Sequence, residues 1–216
     1  MKKAIIFDLD GTLLDTIEDL RDSVNDVMKI YGWKEHDTKA CKQMVGNGFR
    51  KLITRALPED KQKNELFIDE AVNQFSKAYQ KRYLNKTIPY EGILKLLESL
   101  EEKGIKIAVV TNKPHKSAVK MVETLFGKDY FDLITGSKDD TPRKPNPATT
   151  KQTLQKLGCK AGEAIFFGDS DVDIETAKNA DIEAIGCSWG FRSFESLLAK
   201  SPSAIIDEPK YISKLF

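Results

Sequence analysis

Apolar residues recur along this chain with two different spacings, and the change between them divides it. Ala4-Ile5-Ile6-Phe7 is a short unbroken apolar run, as expected for a strand buried on both faces, and Asp8-Leu9-Asp10-Gly11 turns the chain directly after it. From residue 16 to residue 88 the spacing is helical. Ile17, Leu20, Val24, Val27 and Tyr31 share one face, as do Leu52 and Ala56, and then Ile68, Val72, Phe75, Tyr79 and Tyr83. Asp15 with Glu18 predicts a capping box, Gly32 predicts the end of that first helix, and no convincing strand lies between Thr16 and Ile88.

After Pro89 the two periods alternate. Helix is expected over 92–103, 116–126, 148–157 and 172–180, and strand over 105–110, 133–135, 164–167 and 182–186. Each crossover between parallel strands needs a helix to pass over the sheet, so the fold class is α/β: a doubly wound parallel-sheet (Rossmann-like) core with an inserted all-helical cap domain. The core comprises residues 1–15 plus 89–216 and the helical cap residues 16–88. Pro142 to Pro147 reads as a stiff loop.

Composition narrows the partner. Of 216 residues 40% are hydrophobic, enough for a real core, and 34 Lys and Arg against 33 Asp and Glu leave a net charge of +1. Such a chain has no overall field to attract nucleic acid or an anionic membrane, which points to a small-molecule partner. Cys41, Cys159 and Cys187 lack C-x-x-C spacing and read as reduced thiols of a cytoplasmic protein. Met1-Lys2-Lys3 resembles the start of a signal peptide, but the apolar stretch after it ends at Asp8, and no segment is long enough to span a bilayer.

Ligands of open α/β sheets gather at the carboxyl ends of the strands. Asp8 and Asp10, Thr111 and Asn112, Lys144, and Asp169 with Asp173 all follow expected strands. Asp8 and Asp10 sit two apart, so in an extended chain both face one way: one carboxylate can attack phosphorus while the other handles protons. Hard oxygen ligands with no His or Cys nearby suit Mg²⁺. Thr111 and Asn112 offer a hydroxyl and an amide to phosphate oxygens, and Lys144 a compact cation. Taken singly, each has a plainer reading. Asp-Leu-Asp-Gly is a common turn, Asp169 or Ser170 suits a helix N-cap, and Thr111, Asn112 and Lys144 suit turns or solvated charge. Joint occurrence at strand ends favours one phosphate site.

Four motifs in this order resemble the haloacid dehalogenase superfamily: Asp8-Leu9-Asp10-Gly11-Thr12, Thr111, Lys144-Pro145, and Gly168 to Asp173. Val45-Gly46-Asn47-Gly48, Val110 to Pro114, Arg143 to Pro147 and Trp189-Gly190-Phe191 are similar to the phosphoglycolate phosphatase group within it. The resemblance implies Asp8 as nucleophile and Asp10 as general acid/base. It also implies Mg²⁺ held by Asp8, the Asp10 carbonyl and Asp169, phosphate bound by Thr111, Asn112 and Lys144, and Asp173 supporting the metal. Asp10 argues for transfer of phosphorus from oxygen, because relatives that cleave carbon–halogen or carbon–phosphorus bonds lack that carboxylate. Asp181 departs from the group, which usually has Gly there.

The function expected is Mg²⁺-dependent hydrolysis of a small phosphomonoester through a phospho-aspartate. The alternatives are a pyrophosphatase, a nucleotide or sugar phosphatase, or a phosphomutase of the same superfamily, and more remotely a non-enzymatic phospho-aspartate switch. Repeated phosphate release separates the phosphatase from the switch. In the cap, Gly46-Asn47-Gly48 predicts a tight loop that lets a ligand approach, with Arg50 available for a substrate carboxylate; the simpler alternative for Arg50 is a solvated helix residue. His36 and His115 lack partners at ligand spacing, and Tyr79 to Tyr83 reads as a helix face.

Overall fold

The computed structural model describes residues 2–128, 130–138 and 141–216; Met1, where the expected core domain and the signal-like segment begin, lies outside them. The chain falls into two compact units, residues 1–14 with 89–216, and residues 15–88.

The first unit is built on a six-stranded sheet. β1 (Ala4–Phe7) leads to the short β2 (Leu14–Asp15), where the second unit begins. That unit holds α1 (Ile17–Ile30), α2 (Thr38–Met44), α3 (Phe49–Ala56) and α4 (Glu65–Arg82), and the chain returns through β3 (Ile88–Pro89). Then follow α5 (Ile93–Glu102), β4 (Lys106–Pro114), α6 (His115–Phe126), β5 (Leu133–Ser137), α7 (Ala148–Leu157), β6 (Ala164–Gly168), α8 (Asp171–Asn179), β7 (Glu183–Cys187), α9 (Phe194–Leu198) and β8 (Ala204–Ile206).

The strand order is β5-β4-β1-β6-β7-β8, parallel at each pairing, with β2 and β3 forming a separate two-stranded sheet. β1 is central because all four of its residues are fully buried; on it Phe7 aligns with Val109 of β4 and Phe167 of β6. Burying side chains of that size contributes about 1.5–3 kcal/mol each. Alternation along β1 sends Ala4 and Ile6 into a cluster with Leu154 and Leu157 of α7, Ile174 and Ala177 of α8, and Leu197 of α9. On β4 pack α5 and α6, so helices cover the sheet as the doubly wound reading requires.

In the helical unit, Phe49, Phe75 and Tyr79 form an aromatic cluster, which accounts for the Tyr79 face. Asp19 is buried at the start of α1 and accepts hydrogen bonds from Lys86 N, Thr87 N and Thr87 Oγ1, tying the two ends of the unit together.

Several expectations are corrected. The Asp15–Glu18 capping box does not form: Thr16 is the N-cap, Asp15 accepts from Ile17 N, and Glu18 pairs instead with Arg21 and Thr38. The local capping motif yields here to an ion pair one turn along α1 and to a hydroxyl from α2. β4 runs on through Pro114 because β5 stays alongside it to Ser137, so Thr111 and Asn112 lie within the strand rather than after it. Ile88–Pro89 is a strand, and α9 and β8 extend the core beyond the last expected strand. Asp181 has φ 60°, the left-handed region that explains why Gly suits this position.

Candidate active site

Because β1 lies between β4 and β6, its carboxyl end is a topological switch point, where the crossovers depart to opposite sides and leave a crevice. Asp8 leaves β1 there, Thr111 to Lys113 come from β4, and Gly168-Asp169 from β6. Lys144 reaches the same place from the loop before α7. Its Nζ lies 2.8 Å from Asp8 Oδ1 and 2.6 Å from Asp173 Oδ1. One ammonium thus serves both carboxylates, with its better-aligned hydrogen bond to Asp173, and Asp8 Oδ1 is buried with that single cation beside it.

Oxygens of Asp8, Asp169 and Asp173 all lie within 4.8 Å of one another. Burial first, then the charge of Asp173, pushes the Asp8 carboxyl up to about 6 despite Lys144. Asp169 is pushed up to about 8 by burial and by the charges of Asp173 and Asp8. Burial opposes the charge on Lys144, but the two carboxylates outweigh it and hold the ammonium firmly protonated. Three crowded buried carboxylates with one ammonium between them form an oxygen-only set short of positive charge. A hard divalent cation such as Mg²⁺ fits that deficit. Nearby Cys187 is no competitor: burial holds its thiol well above the usual range, and its sulfur is 3.8 Å from the Gly11 carbonyl.

Each carboxylate is oriented by neighbours. Asp169 accepts from Thr12 Oγ1 at 3.2 Å and from Phe191 N at 2.7 Å. Gly190 lets the chain pass this close, since a Cβ there would lie 2.2 Å from Asp169 Cβ. Ser170 is the N-cap of α8, and Asp173 completes its capping box through Oδ2, accepting from Ser170 N at 3.0 Å. The capping reading and the site reading thus hold together: Asp173 spends one oxygen on the helix end and turns the other to Lys144.

Asn112 stands at the same end of β4 as Thr111 and is tied to the Lys144 loop. Its amide donates to Lys144 O at 3.1 Å and accepts from Lys144 N at 2.9 Å, so it clamps the backbone that carries the lysine. Asp10 lies at the same strand end but pairs with Lys113, at 2.8 Å from Oδ1 and 3.1 Å from Oδ2. Thr111 is buried, and its Oγ1 accepts from Lys113 N at 3.3 Å. Sequence reasoning gave no role to Thr12, Lys113 or Phe191. Thr12, Lys113 and Phe191 all stand inside quoted motifs, which was the available signal.

In the helical unit Gly46, Asn47 and Gly48 all have positive φ, as a tight loop between α2 and α3 demands. Arg55 holds this loop, donating to Met44 O at 2.8 Å and to Asn47 Oδ1 at 3.2 Å. Arg50 is exposed and forms ion pairs with Glu65 and Asp69.

A family model for haloacid dehalogenase-like hydrolases matches residues 5–187. A phosphoglycolate phosphatase of Aquifex aeolicus is 34% identical over 99% of this chain and 96% of its own length. A second, from Psychrobacter arcticus, is 32% identical over 96% and 92%. Among solved structures, a candidate phosphoglycolate phosphatase from Lactobacillus delbrueckii subsp. bulgaricus superposes with a TM-score of 0.93 at 32% identity, covering 100% of this chain and 98% of that one. Among the described residues no helix is long and apolar enough to cross a membrane. With its motifs gathered at the switch point of a parallel sheet and a family match across most of its length, the chain belongs to the haloacid dehalogenase-like hydrolases.

Proposed function

We propose that this protein is a Mg²⁺-dependent phosphomonoesterase that forms a phospho-aspartate on Asp8, with phosphoglycolate as its substrate. The observation that carries the reading is the buried Asp8 carboxylate, crowded against two further carboxylates with one ammonium, Lys144, between them at the end of the central strand. Asp8, the Asp10 carbonyl and Asp169 would hold the metal, which neutralises phosphate charge and lets an anionic nucleophile approach an anionic substrate. Asp173 supports that set by holding Lys144.

Asp8 attacks phosphorus in line as the bond to the leaving oxygen breaks, and Asp10 gives that oxygen its proton. The Asp10 carboxylate then takes a proton from water, whose oxygen attacks phosphorus, releasing inorganic phosphate and restoring Asp8. Lys144 and Thr111 bind the phosphoryl oxygens. Asn112 acts by keeping Lys144 in place. The helical unit serves as the cap, and its Gly46-Asn47-Gly48 loop is the candidate for reading the rest of the substrate; Arg50, already paired with Glu65 and Asp69, is the alternative. With free thiols at Cys41, Cys159 and Cys187, we assign the enzyme to the cytoplasm.

Phosphate release from a panel of phosphoglycolate, pyrophosphate, nucleoside monophosphates and hexose phosphates tests the reading. Phosphoglycolate is expected to be turned over fastest. Preference for pyrophosphate would replace the substrate, and a single stoichiometric phosphorylation without release would sink the enzyme reading.

EDTA is expected to abolish turnover, Mg²⁺ to restore it, and Ca²⁺ not to, since its longer bonds and higher coordination misplace the phosphoryl group. Metal binding should also stabilise the fold. At about 100 times its dissociation constant Mg²⁺ contributes about 2.7 kcal/mol, which for a chain of this size is about 5–10 °C in Tm. Protons compete for raised carboxyls, so this Tm gain should be larger at pH 8 than at pH 5. A gain independent of pH, in thermal melts at both values, would count against Asp8 and Asp169 as ligands.

The Glu65 and Asp69 pairs already satisfy the charge of Arg50. Arg50→Ala is therefore expected to change turnover of phosphoglycolate and of p-nitrophenyl phosphate alike, by less than about twofold, as for other exposed ion pairs. A loss confined to phosphoglycolate would assign Arg50 to the substrate carboxylate.

A further inference from the structure

We infer that Lys113 is a positioning residue for the proton-transfer step, holding the Asp10 carboxylate over the phosphate site from the end of β4. The inference rests on the acid/base reading of Asp10 and extends it to a residue of the Val110 to Pro114 motif to which sequence reasoning gave no role.

Lys113 has a side chain with 0% exposure, in contrast to the solvated lysines that make up most of the chain's positive charge. Burying an ammonium is costly unless a charged partner is held in good geometry. Asp10 supplies that geometry with both oxygens, at 2.8 Å and 3.1 Å from Nζ. The two residues are far apart in sequence, and β1 and β4 bring them together as adjacent parallel strands. Asp10 is the more exposed partner at 15%, so the pair presents its carboxylate, not its ammonium, to the crevice.

The segment that carries Lys113 is held from several sides. The register of β4 against β5 shifts between Val110 and Pro114, an irregularity of the kind that re-aims side chains beside active sites. Within that segment Lys113 N donates to Thr111 Oγ1, linking the lysine to a phosphate-site residue. β5 closes on the same segment: a Cβ at Gly136 would lie 2.6 Å from the Lys113 carbonyl oxygen and 2.6 Å from His115 Cα. A carboxylate on a two-residue step beyond β1 would otherwise sample several rotamers. An acid/base group displaced by about 1 Å loses about 10²-fold in rate.

The test is a double-mutant cycle of Lys113→Met, Asp10→Asn and the double variant, with kcat and KM measured on phosphoglycolate and on p-nitrophenyl phosphate. Lys113→Met is expected to lower kcat by about 10²-fold with KM within about threefold of the parent on both substrates. In the Asp10→Asn background, adding Lys113→Met should change kcat by less than about twofold, because the group it positions is already gone. The double variant removes both charges and leaves no buried ion unpaired; if Lys113→Met alone folds poorly, Lys113→Gln, which keeps a neutral donor toward Asp10, takes its place in the cycle. Wild-type kcat in Lys113→Met, or the same loss in both backgrounds, would overturn the inference while leaving Asp10 in its role. A loss confined to KM for phosphoglycolate would make Lys113 a substrate contact and overturn it equally. Full activity in Asp10→Asn would instead defeat the acid/base reading on which the inference rests.

Discussion

Asp8→Asn is expected to abolish turnover, by roughly 10⁴-fold to 10⁶-fold, while making the metal-free protein more stable at neutral pH. The amide keeps the shape of the carboxylate but is a far weaker nucleophile and a poorer ligand for Mg²⁺. Stability moves the other way because of where Asp8 sits. Its carboxyl is pushed up to about 6 in the fold, chiefly by burial and by Asp173. A group raised in the folded state contributes stability that is complete below its ordinary value and is lost as pH rises through the folded one. Above pH 6, therefore, ionised Asp8 weakens the metal-free fold, by something on the order of 1–3 kcal/mol. Asparagine removes that cost. Melting the metal-free variant and parent at pH 8 and at pH 4 checks the argument: the variant should gain at pH 8 and show no gain at pH 4. Near-normal activity would remove Asp8 as nucleophile, and a variant less stable at pH 8 would overturn the electrostatic account.

Lys144→Met should lose both activity and stability. Lys144 is the ammonium between Asp8 and Asp173, with 3% of its side chain exposed. Removing it leaves buried carboxylates uncompensated, which costs about 3–5 kcal/mol, or about 10 °C of Tm for a chain this long. Its charge would also be missing where the phosphoryl group sits, a loss of about 10²–10³-fold in kcat. The two effects come apart in the double variant with Asp173→Asn. Neutralising Asp173 should return part of the Tm, because less negative charge is then crowded together, yet turnover should stay low because the phosphate still lacks its cation. Recovery of activity together with stability would mean that Lys144 acts only as a structural counter-ion.

Local pattern determined a good deal of this protein. An unbroken apolar run of four residues marked β1 as buried on both faces, because alternation is the trace of a solvated face and none was present. Crossovers in a parallel sheet require helices, so the alternation after Pro89 was enough to infer the core, and helical spacing without strands marked the insert. Carboxylates and Lys144 were legible as chemistry because strand ends are where an open sheet binds ligands.

What only the tertiary structure decided is which group meets which. Asn112 by itself reads as a turn residue more readily than as a phosphate ligand, and its hydrogen bonds to the Lys144 backbone depend on a loop 32 residues away. Asp173 divides its oxygens between a helix cap and Lys144, a double duty that composition cannot express. Lys113 stands in a recognisable motif, but its partner becomes evident only when β1 and β4 pair and bury it against Asp10. The expected Asp15–Glu18 box fails partly for this reason, since Glu18 is taken by Arg21 on its own helix and by Thr38 from α2. Hydrophobic periodicity reports how deeply each residue is buried, one position at a time, through the spacing of its neighbours along the chain. Charge pairing depends on distances of a few ångströms between residues brought together from distant parts of the chain, and those distances exist only after the sheet has formed.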